Sequence, residues 1–221
     1  MPVPQSQKEI IEEHAPDFWP VFWSFAVALF VAVILSFLFF GRDQEYHAYS
    51  LVFQSLVLLG VTVVLSCKHH RLLRKQLQNP GFQHASAWVG LALLAPLLTI
   101  NWFWHGPFLR ALGHHEYFGT FEKIGLDGPG LWILFCIFPG IIEEIGFRGL
   151  LQPMLMQALP KYKAMLIVAA MFAGIHLSVY SFPYLLLVGL YLGWLREQTR
   201  SLYPCMLAHA LHNAFVIAFF W

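Results

Sequence analysis

The chain has 221 residues, of which 58% are hydrophobic, 17% aromatic and only 11% charged, and its mean hydropathy is +0.62. A soluble domain carries about 25% charged residues, so this composition excludes an ordinary soluble globule and points to a polytopic membrane protein. The formal net charge of +1 excludes strong bulk attraction to nucleic acid.

The first 17 residues are polar and carry Lys8, Glu9, Glu12, Glu13 and Asp17, with Ile10 and Ile11 marking a short interfacial helix. The first apolar run ends without a small-residue cleavage motif, so no cleavable signal peptide is expected. A helix needs about 20 mostly apolar residues to cross the hydrocarbon core. Runs of that kind lie at about 18–41, 47–67, 85–105, 130–156, 161–181, 183–198 and 202–221, the sixth short enough to be tilted or re-entrant. The expected fold is an all-α membrane bundle of about seven transmembrane helices, with every backbone group satisfied within its own helix. Cys67, Cys136 and Cys205 lie far apart without CxxC spacing, and each reads as a small buried hydrophobe. Eight Trp and eight Tyr suit the aromatic belts of a bilayer protein.

The linker Lys68-His69-His70-Arg71-Leu72-Leu73-Arg74-Lys75 is the most basic segment and is expected to be cytoplasmic. The 157–163 loop, with Lys161 and Lys163, and the 196–201 loop, with Arg196 and Arg200, then fall on the same side, as does the N-terminus. The 42–46 and 106–129 segments fall outside. The latter mixes Phe108, Leu109, Leu112, Tyr117, Phe118, Phe121 and Ile124 with polar residues, as an interfacial amphipathic segment would. It ends in Asp-Gly-Pro-Gly at 127–130, a turn and helix-start signal. The expected organisation is an N-terminal transmembrane region, 1–129, followed by a core, 130–221, in one membrane unit.

The core holds the informative residues. Glu143-Glu144-Ile145-Gly146-Phe147-Arg148 interrupts an apolar run, although each charge at the centre of a span costs roughly 2.5–3.5 kcal/mol. Glu144 and Arg148 stand at i, i+4 and can pair. Glu143 points about 100° away and shares a face with Gly140 and Phe147, which leaves it without a built-in partner. Such a carboxyl suits proton exchange, whereas a cluster that only locks helices together is the competing reading. Gly140, Gly146 and Gly149 permit close helix approach. The next span carries Phe172-Ala173-Gly174-Ile175-His176, and the last carries His209-Ala210-Leu211-His212-Asn213 after Pro204 at its start. A lone histidine in a bundle is often satisfied by a backbone carbonyl. His209 and Asn213 share a face and can donate together to one oxyanion, while His212 lies near its edge. Counted from the expected cytoplasmic ends, Glu143, His176 and His209 lie roughly 20, 22 and 10 Å deep, which makes His209 the shallowest.

These motifs, EExxxR, FxxxH and HxxxN in that order on three late spans, resemble those of the CAAX protease and bacteriocin-processing family of intramembrane proteases. The resemblance covers about 130–221 and implies a catalytic cavity formed by the C-terminal helices. It implies that Glu143, helped by His176, activates a water, and that His209 and Asn213 form an oxyanion hole. Glu144, Arg148 and Phe172 would support the site. It implies a glutamic, metal-independent endopeptidase of the bacterial inner membrane, without a cofactor, acting on a peptide or protein at the bilayer that can be prenylated. Glu, His and His could in principle bind zinc, but there is no HExxH. The alternative is a non-catalytic membrane immunity or accessory protein, of the kind tied to bacteriocin immunity, that binds a peptide or partner helix in the same cavity. A proton or ion pathway is a third reading, without the repeat symmetry of secondary transporters.

Overall fold

A computed structural model describes residues 5–40, 47–108, 111, 128–176 and 178–220. Most of the amphipathic segment expected over 106–129, and the 42–46 loop, lie outside the described residues. The regular structure described is all helical: α1 Gln5–Phe40, α2 His47–Lys68, α3 His70–Leu77, α4 Ala85–Phe108, α5 Gly128–Ala158, α6 Lys161–Gly174, α7 Phe182–Thr199 and α8 Tyr203–Phe220. The chain is an integral membrane protein: α4 and α5 are long and apolar enough to cross a bilayer, and Val52–Lys68 with His70–Leu77, bent by 95°, adds a third candidate if taken as one span. Trp19–Leu35 and Tyr203–Phe219 are apolar but shorter, and α6 has only 14 residues.

α5 is the central element. It packs against α1, α2 and α3 on one side and against α6, α7 and α8 on the other. Its small residues let this happen. At Gly146 a Cβ would lie 3.0 Å from the Phe25 ring of α1 and 3.2 Å from Thr62 Oγ1 of α2. At Gly140 it would lie 3.1 Å from the Met206 carbonyl of α8. Side chains interlock α5 with α7 as well. Arg148 Nη2 donates to the Gly189 carbonyl at 3.1 Å, and Gln152 Nε2 donates to the Gly193 carbonyl at 3.0 Å. The pairs 148/152 and 189/193 are each one turn apart, and glycine leaves its carbonyl open to a second donor.

One end of the bundle gathers the basic segments. Arg71, Arg74 and Lys75 are exposed on α3 while Leu73 is buried. Gln76 Nε2 donates to the Gly149 carbonyl at 2.8 Å, Arg196 donates to Gln76, and Lys161 pairs with Glu197 at 3.1 Å. Gly81, at φ +77°, lets Ser201 close on the α3–α4 turn, where Ser201 Oγ donates to the Asn79 carbonyl at 2.6 Å. At the opposite end, Trp104 Nε1 of α4 donates to the Tyr180 carbonyl in the α6–α7 turn at 2.9 Å.

Three expectations change. The helix expected over 161–181 stops at Gly174, because Ser178 and Ser181 organise a turn: Ser181 N–H donates to Ser178 Oγ at 3.1 Å, and Pro183 opens α7. His176 therefore lies in that turn. Cys136 and Cys205 are buried, but Cys67, on the outer face of the last turn of α2, is exposed. Finally, the turn into α8 is packed inside the protein. Arg200 adopts a left-handed conformation at φ +50°, and Ser201 and Leu202, the turn residues that lead into α8, are fully buried, so the chain enters α8 packed against α5.

Candidate active site

The site is built on a change of winding within α5. Phe138–Glu143 is α-helical, whereas Glu144–Leu151 winds as a π-helix with i→i+5 hydrogen bonds. Such turns are rare and recur at functional sites. Glu144, Phe147 and Arg148 are completely buried. Arg148 Nη1 donates to Glu144 Oε1 at 3.0 Å, which realises the i, i+4 pair expected from spacing. The guanidinium also stands 4.5 Å from the centroid of the Phe172 ring. A buried charge needs this density of partners, because removing ions from water costs several kcal/mol each.

His209 of α8 inserts against both carboxylates. Its Nδ1 lies 2.8 Å from Glu144 Oε1 and its Nε2 lies 3.9 Å from Glu143 Oε2. A carboxylate only accepts, so Nδ1 is the donor to Glu144. The two nitrogens sit on different edges of the ring, and this lets one imidazole meet two consecutive residues that point about 100° apart. The shallow position expected for His209 is thus corrected. Leu202 lies against Gly149; six residues back along α5 and seven forward along α8, rises of about 9 and 10 Å bring Glu143 and His209 to one level.

Phe172 links the two histidine motifs. Its ring lies edge-on to His209 at 5.6 Å between centroids and 5.1 Å from His176. His176 is exposed, and its Nδ1 donates to the Phe172 carbonyl at 2.8 Å. Backbone satisfaction therefore accounts for one nitrogen, Nδ1, and leaves Nε2 as the second polar edge of the ring. No direct hydrogen bond joins His176 to Glu143 among the described residues.

Asn213 completes the set. Its Nδ2 donates to the Phe135 carbonyl of α5 at 2.9 Å, and its Oδ1 accepts from His212 Nδ1 at 3.0 Å. His212 in turn meets Tyr184 Oη at 2.8 Å and Asn101 Nδ2 at 3.3 Å. Sequence reasoning gave no role to Asn101, His105 or Tyr184 and left His212 at the edge of a face. Asn101 and His105 do carry a signal, since they stand at i, i+4 in an otherwise apolar span. Among the described residues, no three His, Cys, Asp or Glu side chains are arranged to hold a metal ion; the chemistry considered below uses protein groups and water.

Paired carboxylates, two histidines, an amide and a buried arginine come together inside an all-helical membrane bundle as one polar cluster. Residues 126–215 match the family model described as type II CAAX prenyl endopeptidase Rce1-like, a protease family, which is consistent with membership of the CAAX protease and bacteriocin-processing family. Comparison with curated proteins and with solved structures returns no match.

Proposed function

We propose that this chain is an intramembrane endopeptidase in which Glu143 and His176 activate a water molecule. One observation carries the reading. Glu144 is tied through Oε1 to both Arg148 and His209 Nδ1, with its buried Oε2 unpartnered, whereas Glu143 makes no side-chain hydrogen bond among the described residues and its buried Oε2 lies 3.9 Å from His209 Nε2. A carboxylate so placed takes a proton from water as that water attacks the scissile carbonyl, then returns it to the leaving amine. His176 Nε2 shares in holding the water. Asn213 Nδ2 has one hydrogen on Phe135 and a second to offer the tetrahedral oxyanion. His209 Nε2 offers another when it carries a proton.

No metal enters this scheme, and residues 130–221 supply all of its catalytic groups. Helices α1 to α4 serve as the scaffold that packs against α5 and α7. The substrate class is a peptide at the membrane, prenylated at a C-terminal CAAX sequence or cut from a longer precursor. Seven crossings, with the N-terminus and the basic end cytoplasmic, are the arrangement that best accommodates the charge pattern.

The test is cleavage by the purified protein of prenylated and unprenylated peptides in lipid. Glu143→Ala is expected to abolish turnover. His209→Ala and Asn213→Ala are each expected to lower kcat by ~10²–10³-fold, and a chelator is expected to leave turnover unchanged. If Glu143→Ala processes peptides as fast as the native chain, the hydrolytic reading fails and binding of a peptide or partner helix takes its place.

A further inference from the structure

The hydrogen bonds behind Asn213 form a single directed chain. The Phe135 carbonyl only accepts, so the amide nitrogen of Asn213 must face it, which turns Oδ1 toward His212. His212 Nδ1 is then the donor, and its Nε2 is the acceptor for Tyr184 Oη–H and Asn101 Nδ2–H. Asn101 is left with Oδ1 facing His105 Nδ1–H at 2.6 Å. His105 Nε2 accepts from Ser181 Oγ at 3.3 Å, and Ser181 Oγ accepts from Ser178 Oγ at 2.9 Å. Every member donates toward Asn213, and no member carries a formal charge. Asn101, Tyr184, Ser181 and His212 are all at least nine-tenths buried.

We infer that His212, held by Tyr184 and Asn101, is a positioning residue that fixes the amide orientation of Asn213, and that the chain through His105 ties this orientation to the turn carrying His176. The inference rests on the proposal that Asn213 donates to an oxyanion. The orientation matters because an asparagine amide is nearly symmetric in shape but opposite in polarity at its two ends. Flipped, Asn213 would present an acceptor oxygen to developing negative charge. Reversal of Asn213 would leave His212 Nδ1–H facing an N–H group and the Phe135 carbonyl without its donor, and buried groups left unpaired are costly. Ser178 lies two residues after His176, so the chain starts in the loop that carries one catalytic histidine and ends on the side chain that receives the oxyanion. α4, from the N-terminal region, contributes two of its links.

The full-length chain holds only three asparagines, Asn79, Asn101 and Asn213, so selective ¹⁵N-asparagine labelling in lipid nanodiscs isolates the group in question, and Asn213→Ala assigns its signal. In the native protein the Asn213 side-chain amide is expected to give two dispersed proton resonances that exchange slowly. Tyr184→Phe and His212→Phe are expected to speed that exchange by about tenfold, and His212→Asn, which keeps an N–H donor near the position of Nδ1, is expected to restore it. In cleavage assays the same two variants lower kcat with KM unchanged, and lower it no further when Asn213 is already alanine. An Asn213 amide signal unchanged in both variants, or equal kcat losses in the native and Asn213→Ala backgrounds, overturns the positioning role. If Asn213→Ala itself keeps full kcat, the oxyanion assignment is what fails, and the exchange measurement still decides whether His212 orients the amide.

Discussion

At the scale of single residues, the decisive group is Arg148, the one cation that faces Glu144 from within α5. Replacing it with methionine would leave Glu144 buried beside His209 with no permanent positive charge. Breaking a buried pair from one side costs about 3–5 kcal/mol. Arg148→Met is therefore expected to lower the thermal unfolding midpoint in detergent sharply, and Arg148→Met with Glu144→Gln is expected to recover most of that loss. A single variant as stable as the native protein would show that the pair is not structural. The double variant should remain a poor enzyme, because an amide in place of the Glu144 carboxylate weakens the charge-assisted hydrogen bond that orients His209. The pairing was legible in the sequence because i, i+4 spacing is local. The contact of His209 with the same carboxylate was not, since it depends on the register between α5 and α8. That register follows from the buried turn at Ser201 and Leu202 that leads into α8, with Leu202 against Gly149, and hydropathy, which sees only an apolar run, cannot locate it. Asn101 and His105 were visible as polar residues in a span, yet nothing local says that Asn101 meets His212, more than a hundred residues away, or that His105 meets Ser181.

At the scale of elements, the site depends on how closely helices approach. Gly189 of α7 is the tightest crossing with α6: a Cβ there would lie 2.9 Å from both Cα and Cβ of Ala169. Backbone atoms cannot rotate aside, so Gly189→Ala must push α6 and α7 apart. Overpacking of this kind costs about 1–3 kcal/mol. It also shifts the carbonyl that accepts from Arg148 and the helix that carries Phe172. Gly189→Ala is therefore expected to lower both the unfolding midpoint and kcat, whereas the same change at Gly60, which has no atom within 4 Å of the added Cβ, should leave both near native values. Equal effects at the two positions would refute the crossing argument. The close contacts at Gly140, Gly146 and Gly149 follow the reading that small residues on a span mark helix contacts. Gly189 was missed because one glycine in an apolar run does not name its partner. The early end of α6 was missed for a related reason. Leu177 and Val179 keep the hydropathy high past Gly174, while the turn is made by hydrogen bonds between Ser178 and Ser181.

At the scale of the whole molecule, the two ends of the bundle differ in kind, and this bears on which substrates reach the site. α3, the α5–α6 connection and the α7–α8 turn come together at one end with exposed Arg71, Arg74, Lys75, Lys161, Lys163 and Arg200. The α6–α7 turn carrying His176 lies at the other end, beside the close of α4. Cytoplasmic ends of membrane proteins are enriched in Lys and Arg, so the basic end is expected inside and the His176 turn nearer the outer face. Sided labelling checks this. In a Cys67→Ala background, with Cys136 and Cys205 buried, an impermeant maleimide on intact cells should modify Asp43→Cys, and should modify Lys163→Cys only after the membrane is opened. The reverse pattern would place the basic end outside and turn His176 toward the cytoplasm. Labelling of both positions from outside would mean that an odd number of crossings does not separate them, contrary to a seven-span arrangement. Under the proposed function the expected pattern has a direct consequence: a peptide presented from the outer leaflet would meet the His176 turn first, whereas toward the basic end α3, α5 and α7 are joined through Gln76, which bonds both Gly149 and Arg196.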